Sequence, residues 1–319
     1  MSESGRIMPG RGAGKGKNRA PETGRKGKTV RRKRTGGAWK RALPAILCLA
    51  VLAALAVAFL LPRYLNRKPE DALDAVFFDV GQADAILLSF PEGGHALIDA
   101  GNRDDATLLL EELRYRGVNR FVFAAATHPH EDHAGGLAAV LREIPADRVW
   151  LSAEESDADY CRELLALLRQ NGTPHAVPGS GAVLYDAAGC RVTAVYAGEG
   201  AENPNDASLI FRVTYGESAL LLTGDAGVGE EERLLGTGRE IRADLLKIGH
   251  HGSSSSTGEG FLDAVSPRFA VISCGRNNDY GHPDREVLER LEKRGIVVCR
   301  TDREGTVLFR SDGRTWTRP

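Results

Sequence analysis

The sequence lacks the signatures of several common protein classes. Its five cysteines are scattered and form no CxxC pair, which argues against a disulfide framework and a cysteine zinc finger. It has no GxGxxG or GxxxxGK[ST] loop for a nucleotide phosphate, no GxSxG nucleophile elbow and no repeat of solenoid period. Aromatic residues make up only 6% of the 319 residues, but the 42% hydrophobic and 27% charged fractions are ordinary. A wholly disordered, collagen-like or coiled-coil chain is therefore excluded.

Charge is divided unevenly along the chain. Residues 1–41 hold 14 basic and two acidic side chains, a net +12, whereas the remainder carries −13, so the total is only −1. The first segment has no apolar periodicity and predicts a disordered basic tail. Its run Arg31–Arg34 could serve as a nucleic-acid arm, although the segment that follows favours a different explanation.

Residues 42–62 form an uncharged stretch of 21 positions, close to the ~20 residues that a transmembrane helix needs. A buried core helix and a cleaved signal peptide are the alternatives. The stretch is longer than the ~7–15 apolar residues usual in a signal peptide, which favours an uncleaved signal anchor. Because the basic residues precede it, we expect a cytoplasmic N-terminus, lipid contact through 42–62, and a body outside the cytoplasm of a single-pass membrane protein. A short linker, 63–73, would follow.

From about residue 74 to 319, short apolar runs alternate with amphipathic stretches, which predicts one α/β domain with a mixed sheet system. The strand-like runs are 75–80, 85–90, 95–99, 120–127, 148–151, 190–196, 208–215, 218–223, 243–248, 269–273, 296–300 and 305–310. The helix-like runs are 106–115, 134–144, 157–170, 229–235, 259–265 and 283–294.

The strongest chemical signal is the run Thr127–His133, THPHEDH, between an apolar strand and a predicted helix. Three of the eight histidines in the chain and one aspartate fall within it, so an accidental cluster in a polar loop is a poor explanation. Imidazole and carboxylate are preferred ligands of zinc and similar divalent ions. The run therefore predicts a metal site.

Two weaker motifs follow other strands. The first ends in Thr223, Gly224 and Asp225, a pattern that alone is usual for a turn. The second contains His250 and His251, and adjacent side chains in an extended chain point to opposite faces. One could ligate metal while the other faces the substrate or a supporting group. Together the three motifs hold enough histidine and aspartate for two metal ions.

The order HPHEDH, TGD and GHHGS resembles the metallo-β-lactamase-fold hydrolases, and in particular the extracytoplasmic C-terminal domain of ComEC-type competence proteins. Further stretches carry the likeness over nearly all of 75–313: FFDVGQADAILL, LIDAGNRDD, NDASLIFRVTYG, LLKIGHHGSSSST, VISCGRNNDYGHP and RTDREGTVLFRSDG. The resemblance implies an αββα sandwich with two divalent ions, zinc or manganese, at one edge. The many-helix channel of the competence proteins has no counterpart here, so we expect the hydrolase domain alone on one anchor.

The resemblance also implies a ligand set. His128 and His130 would hold one ion, Asp132 and His133 the other, and Asp225 would bridge both. A histidine of the GHHGS turn would complete the ligand set of the second ion. His250 is favoured because it follows the glycine directly, and His251 is the competitor.

This sequence departs from the wider family between the two main motifs, where a further histidine is usual. The matching stretch offers only Asn205, Asp206 or water in its place, and an oxygen-rich site suits manganese as well as zinc. Asp99 resembles the family aspartate that supports the ligand loops, whereas Asp84 is interpreted as a structural carboxylate at a strand edge. His282 could contact a substrate phosphate or act as an acid.

As a mechanism, two ions would share a hydroxide whose pKa falls toward ~7, oriented by Asp132 and Asp225. The competence-protein resemblance implies a phosphodiesterase or nuclease acting on DNA. Against tight DNA binding, residues 69–319 carry a net charge of −16, whereas DNA-binding surfaces are usually basic. The alternatives are a phosphorylcholine-esterase-like hydrolase of cell-envelope polymers and a non-catalytic DNA-uptake accessory. The sequence does not identify a protein partner.

Overall fold

The computed structural model describes residues 38–65, 71–154, 156–198, 200–201 and 203–319. Most of the predicted basic tail, 1–37, and part of the predicted linker, 66–70, lie outside the described residues. The chain divides into two units, 1–62 and 63–319. Each is described by itself.

The first unit contributes one helix, α1, over Ala38–Leu65, which contains the predicted transmembrane segment 42–62. The side chains of 42–43, 56 and 59–62 are outside the described part of the chain. Within the part that is described, no helix combines the length and the apolar character that a membrane crossing requires. The transmembrane assignment stays a prediction.

The second unit is built from strands and helices in alternation. The strands are β1 (Leu73–Phe77), β2 (Ala85–Ser89), β3 (His95–Ala100), β4 (Phe123–Ala125), β5 (Val149–Trp150), β6 (His175–Ala176), β7 (Ala182–Ala187), β8 (Cys190–Tyr196), β9 (Ile210–Tyr215), β10 (Ser218–Leu222), β11 (Leu245–Lys247), β12 (Phe269–Ile272), β13 (Val297–Arg300), β14 (Val307–Ser311) and β15 (Trp316–Thr317). The helices are α2 (Ala106–Tyr115), α3 (Glu131–Ala134), α4 (Leu137–Glu143), α5 (Asp159–Asn171), α6 (Val228–Gly236), α7 (Glu259–Val265), α8 (Arg285–Lys293) and α9 (Thr301–Glu304).

The strands form two mixed sheets that pack face to face. One has the order β15-β14-β1-β2-β3-β4-β5-β6 and the other β13-β12-β11-β10-β9-β8-β7. Fully buried aromatic side chains, including Phe77, Phe211 and Phe309, fill the space between them. Burial of this apolar area, at about 25 cal/mol per Å², is the main force holding the sheets together.

Helices cover the outer face of each sheet. Leucines of α2, α4 and α5 pack on the outer side of the first sheet, and α6, α7 and α8 cover the second. Their apolar residues recur three or four positions apart, as at Leu109 and Leu113 or Val287 and Leu291, which places them on one helix face. The predicted αββα sandwich is therefore confirmed.

The sequence pattern missed three strands, β6, β7 and β15. β6 and β15 are only two residues long, and β7 is an edge strand whose side chains are half-buried or exposed. Because none of the side chains of β7 is fully buried, the strand lacks the buried face that imposes apolar alternation. The predicted helix 134–144 is also divided, because α3 ends at Ala134 and α4 begins at Leu137.

The topology brings the chemical motifs to one edge. β3 and β4 run parallel, as do β10, β11 and β12. Asp99 lies at the carboxyl end of β3, and the loops that leave the other strands carry the HPHEDH run, Asp225 and the histidine pair. Carboxyl ends of parallel strands share an edge, where α/β proteins place their sites.

Candidate metal centre

The HPHEDH loop is held against the end of β3 by close backbone contact. Gly136 N–H donates to the Gly101 carbonyl at 2.9 Å, and a Cβ at Gly136 would lie 2.1 Å from the Ala100 carbonyl oxygen. Only glycine fits this position. The buried Asp99 carboxylate accepts from the backbone N–H and hydroxyl of Thr127, at 2.7 and 2.8 Å. The loop is thereby fixed before any ligand binds.

Asp99 also orients the last histidine of the motif. His133 Nδ1 lies 2.8 Å from Asp99 Oδ2, which leaves Nε2 directed away from the carboxylate. A carboxylate behind a histidine is the usual way of fixing the tautomer of a metal ligand. This contact matches the supporting role that the resemblance implies for Asp99.

Asp132, His133, Asp225 and His251 bring four ligand atoms within 4.8 Å of one another. His133 Nε2 is 3.3 Å from Asp225 Oδ1, and His251 Nε2 is 3.2 Å from Asp132 Oδ2. His133 Nε2 and Asp225 Oδ1 are buried without a hydrogen-bond partner among the described residues. Buried polar atoms normally have partners, so this nitrogen–oxygen set fits a divalent ion.

His128 and His130 lie on the other side of Asp225. His128 Nε2 is 3.1 Å from His130 Nδ1 and 3.9 Å from Asp225 Oδ2. The Ser208 hydroxyl lies 3.4 Å from His128 Nδ1 and accepts the Asp225 N–H at 3.0 Å. Asp225 thus stands between two groups of ligands, as a bridging carboxylate would.

The two adjacent histidines lie differently from the expectation. The preference for His250 as the partner of Asp132 and His133 needs correction, because buried His251 occupies that position. Both residues have positive φ, 47° and 53°, so the alternation of an extended strand does not apply. His251 Nδ1 contacts the Ser273 carbonyl at 3.0 Å, which turns Nε2 toward the cluster.

His250 lies beside the group formed by His128 and His130. Its Nε2 is 3.8 Å from Asp225 Oδ2 and 3.4 Å from Asn205 Nδ2, and its Nδ1 is 3.1 Å from the Ser255 hydroxyl. Asn205 Oδ1 is buried with no described partner. Asn205 and His250 therefore lie where a further ligand would stand, whereas Asp206 contacts Asn203.

Electrostatics hold three of the candidate ligands in metal-binding forms. Burial and the neighbouring His133 hold the pKa of His128 well below its usual range, so its imidazole is neutral. Burial alone would raise the pKa of Asp132, but the His251 hydrogen bond and the His133 charge lower it to about 2. Burial likewise opposes ionisation of Asp225, and His133 and His251 outweigh it, so its pKa lies well below normal.

The sequence suggested that Asp84 is a structural carboxylate at a strand edge. The structure instead places it in a buried ion pair beneath the ligand cluster. It is buried, and its Oδ2 pairs with the fully buried Lys247 Nζ at 2.7 Å. Its Oδ1 is 3.7 Å from His251 Nδ1, and its Oδ2 is 4.0 Å from His133 Nδ1. Lys247 is not among the site residues predicted from the sequence, although a single lysine within the apolar run of β11 is a usable signal.

His282 lies at the rim of the site. Its ring centroid is 5.9 Å from that of His250, and its buried Nδ1 has no partner among the described residues. Burial lowers its pKa, so the ring is neutral near pH 7. A cavity of about 560 Å³ opens beside the cluster and is lined by His130, Asn205, Asp225, His250 and others. This space can admit a substrate.

Glu231 on α6 supports the loop that follows the histidine pair. Its buried carboxylate accepts the backbone N–H groups of Thr257 and Gly258 at 2.6 and 2.8 Å. Burial nevertheless raises its pKa to about 7 from 4.5. Because the folded pKa is the higher one, the native state holds this proton more tightly than the unfolded state.

The Glu231 contribution to stability should therefore be complete below pH 4.5 and decline as pH rises through 7. Glu231→Gln should flatten the pH dependence of the unfolding free energy by on the order of 3 kcal/mol over this window. Urea titrations at several pH values measure the difference, with exposed Glu232→Gln as the control. An unchanged slope in Glu231→Gln would contradict the assignment.

Comparison with known proteins agrees with this geometry. A family model described as the metallo-beta-lactamase superfamily matches residues 78–276. The chain is 30% identical over 279 residues to the ComE operon protein 3 of Bacillus subtilis, covering 82% of this chain and 36% of that protein. It is 31% identical over 286 residues to the competence protein ComA of Neisseria gonorrhoeae, covering 83% and 38%. The chain thus spans little more than a third of these relatives.

Solved structures show the same fold at low sequence identity. One is CmlA, a diiron beta-hydroxylase from Streptomyces venezuelae, with a TM-score of 0.50, 14% identity, and coverage of 80% of this chain and 55% of that one. At this identity the likeness concerns the fold alone. With the family model covering most of the sandwich and its motif residues gathered at one edge, this chain belongs to the metallo-beta-lactamase superfamily.

Proposed function

We propose that the domain is a metal-dependent phosphodiesterase that cleaves DNA. One observation carries the proposal: the imidazoles and carboxylates of three distant loops converge on Asp225, with buried ligand atoms that lack other partners. The similarity to two competence proteins favours DNA as the substrate. The fold does not decide the reaction, since it is shared with a hydroxylase.

The protein residues would divide the work by position. His128, His130 and Asp225 would hold one divalent ion, and Asp132, His133, His251 and Asp225 the other. When bound, such ions supply an acidity that makes water reactive near neutral pH, together with positive charge for the transition state. Asp132 and Asp225 would orient the attacking water, and His282, at the rim, would contact the phosphate.

A second candidate function is a phosphodiesterase of cell-envelope polymers. Residues 69–319 carry a net charge of −16, which disfavours a polyanion with many phosphates in contact. An ester with one phosphate, such as a phosphorylcholine ester, would meet less repulsion. This alternative uses the same ligands and differs only in what surrounds the phosphate.

We further propose that residues 42–62 attach the domain to a membrane, with the N-terminus in the cytoplasm and the domain on the other side. The support is the uncharged run of 21 residues after a segment of net charge +12. Alkaline extraction and protease protection of the expressed full-length chain test this. Release by carbonate would contradict attachment, and digestion of the N-terminal tail from outside the cell would contradict the orientation.

The proposed reaction is tested with the full-length protein, stripped by a chelator and reloaded with Zn²⁺ or Mn²⁺. We expect metal-dependent cleavage of linear DNA and of bis(p-nitrophenyl) phosphate. His130→Ala should lower turnover by roughly a hundredfold or more, because it removes a ligand of the ion that activates water. His175→Ala, on β6 outside the site, is the matched histidine control.

Other outcomes would redirect the proposal. Turnover of a phosphorylcholine ester without cleavage of DNA would favour the envelope substrate. Failure to bind any divalent ion would favour a non-catalytic accessory. Undiminished cleavage by His130→Ala would contradict the ligand assignment itself.

A further inference from the structure

The loop between β12 and α8 is fixed by its own hydrogen bonds beside the candidate metal centre. The Asn278 side-chain amide donates to the carbonyls of Gly275 and His282 at 2.9 and 2.7 Å. Its carbonyl oxygen accepts the His282 N–H at 3.0 Å. One side chain thus closes the loop on itself. Residues carried by such a loop are held in place rather than free to move with solvent.

This loop displays an aromatic ring to solvent. Tyr280 is 74% exposed, the largest exposure among the large hydrophobic side chains described in 71–319. Its ring lies 5.8 Å from that of His282, at an interplanar angle of 22°. Apart from this neighbour, most of the Tyr280 ring faces water, and leaving an aromatic ring in water costs hydrophobic free energy. A position this close to the site suggests that the ring meets a ligand.

The ring stands at the outer end of a series of side chains that begins at the metal centre. His250 Nε2 is 3.8 Å from Asp225 Oδ2, the His250 and His282 rings are 5.9 Å apart, and Tyr280 follows. A strand with one phosphate seated at Asp225 could therefore run past His250 and His282 toward Tyr280. The near-parallel pair of Tyr280 and His282 offers a flat face to that group.

We propose that Tyr280 forms a base-stacking subsite, which holds a nucleobase of the strand that is cleaved. The inference rests on the proposed function and names the substrate as single-stranded nucleic acid, whose bases are free to stack. Stacking on an aromatic face tolerates any base. With a net charge of −16 over residues 69–319, phosphate attraction is weak outside the metal centre, so base contact would supply affinity.

The same ring could in principle meet a quaternary ammonium group. Such cations are recognised by cages, in which several aromatic faces surround the charge. Tyr280 and His282 are stacked nearly parallel and so do not form two walls of a cage. The geometry therefore favours a planar base over choline.

The test compares a labelled oligothymidylate with an abasic oligomer of equal length, which keeps the phosphates and lacks the bases. The measurements use four full-length proteins: wild type, Tyr280→Ala, Tyr280→Trp and the control Tyr115→Ala. Dissociation constants come from fluorescence anisotropy in EDTA, and KM and kcat from cleavage with Mn²⁺. Wild type, Tyr280→Trp and Tyr115→Ala should prefer the thymidylate over the abasic oligomer by about tenfold. Tyr280→Ala should lose this preference, through KM rather than kcat.

The outcomes separate the subsite from the nuclease proposal. If no DNA is cleaved but binding in EDTA still requires Tyr280, the nuclease proposal fails and the subsite stands. If DNA is cleaved and Tyr280→Ala keeps the full preference, the subsite is overturned. An effect of Tyr280→Ala on p-nitrophenyl phosphorylcholine alone would also overturn it, in favour of a cation site.

Discussion

Asp225→Asn is expected to abolish stable metal binding and to lower phosphodiester hydrolysis by roughly a thousandfold or more, because the activation of water depends on the ions. Asp225 Oδ1 is 3.3 Å from His133 Nε2, and its Oδ2 is 3.6 Å from His251 and 3.9 Å from His128. Among the described carboxylates, it alone lies within 4 Å of imidazoles from both groups of ligands. An amide of the same size cannot supply two anionic oxygens.

The fold should survive this substitution. The Asp225 backbone N–H keeps its bond to Ser208, and the surrounding imidazoles can remain neutral. Calorimetric titration with Zn²⁺ or Mn²⁺ gives stoichiometry, and thermal unfolding with metal gives a second measurement. Wild type should gain about 2.7 kcal/mol at a hundredfold excess over Kd, whereas Asp225→Asn should gain little.

The matched control is Asp186→Asn, which should behave as wild type. Asp186 is an exposed carboxylate on β7 that pairs with Arg191. Two bound ions and normal turnover in Asp225→Asn would remove Asp225 from the bridging position. Equal losses in Asp186→Asn would indicate a general effect of lost charge rather than a specific ligand.

The ligand motifs were predictable because each follows an apolar strand in sequence. Short, charged or histidine-rich runs after such strands place His128, His130, Asp132 and His133 at one sheet edge without knowledge of the sheet order. The choice between His250 and His251 was not predictable, because it depends on two consecutive positive φ angles. Positive φ at non-glycine residues is rare, so pattern reasoning assumes the extended chain.

The αββα layers were likewise predictable from apolar periodicity, since it follows burial directly. Contacts between distant residues were not. Asp84 and Lys247 are far apart in sequence, and although a lysine in an apolar strand is unusual, nothing in the sequence identifies its partner. Only the packing of one sheet on the other brings them together under the metal centre. Sequence therefore gave the ligands more readily than the charges beneath them.

The second large effect is expected at this buried ion pair. Asp84→Asn or Lys247→Met alone should lower the unfolding free energy by about 3–5 kcal/mol, because each leaves an uncompensated buried charge. The double variant removes both charges and should recover to within about 2 kcal/mol of wild type, the cost of a poorly bonded amide. Urea unfolding of all four proteins in EDTA measures these terms without metal.

Metal affinity should not recover with stability in the double variant. Asp84 Oδ1 lies 3.7 Å from His251 Nδ1, behind a ligand of the cluster, and its negative charge favours cation binding at the opposite ring nitrogen. Every variant without this charge, the double variant included, should bind Zn²⁺ about 10–100-fold more weakly. Recovery of affinity together with stability would mean that the pair only fills the core. Stable folding with weak metal binding would mean that Asp84 acts through His251. It would also mean that the role of Lys247 is to neutralise the buried Asp84 carboxylate.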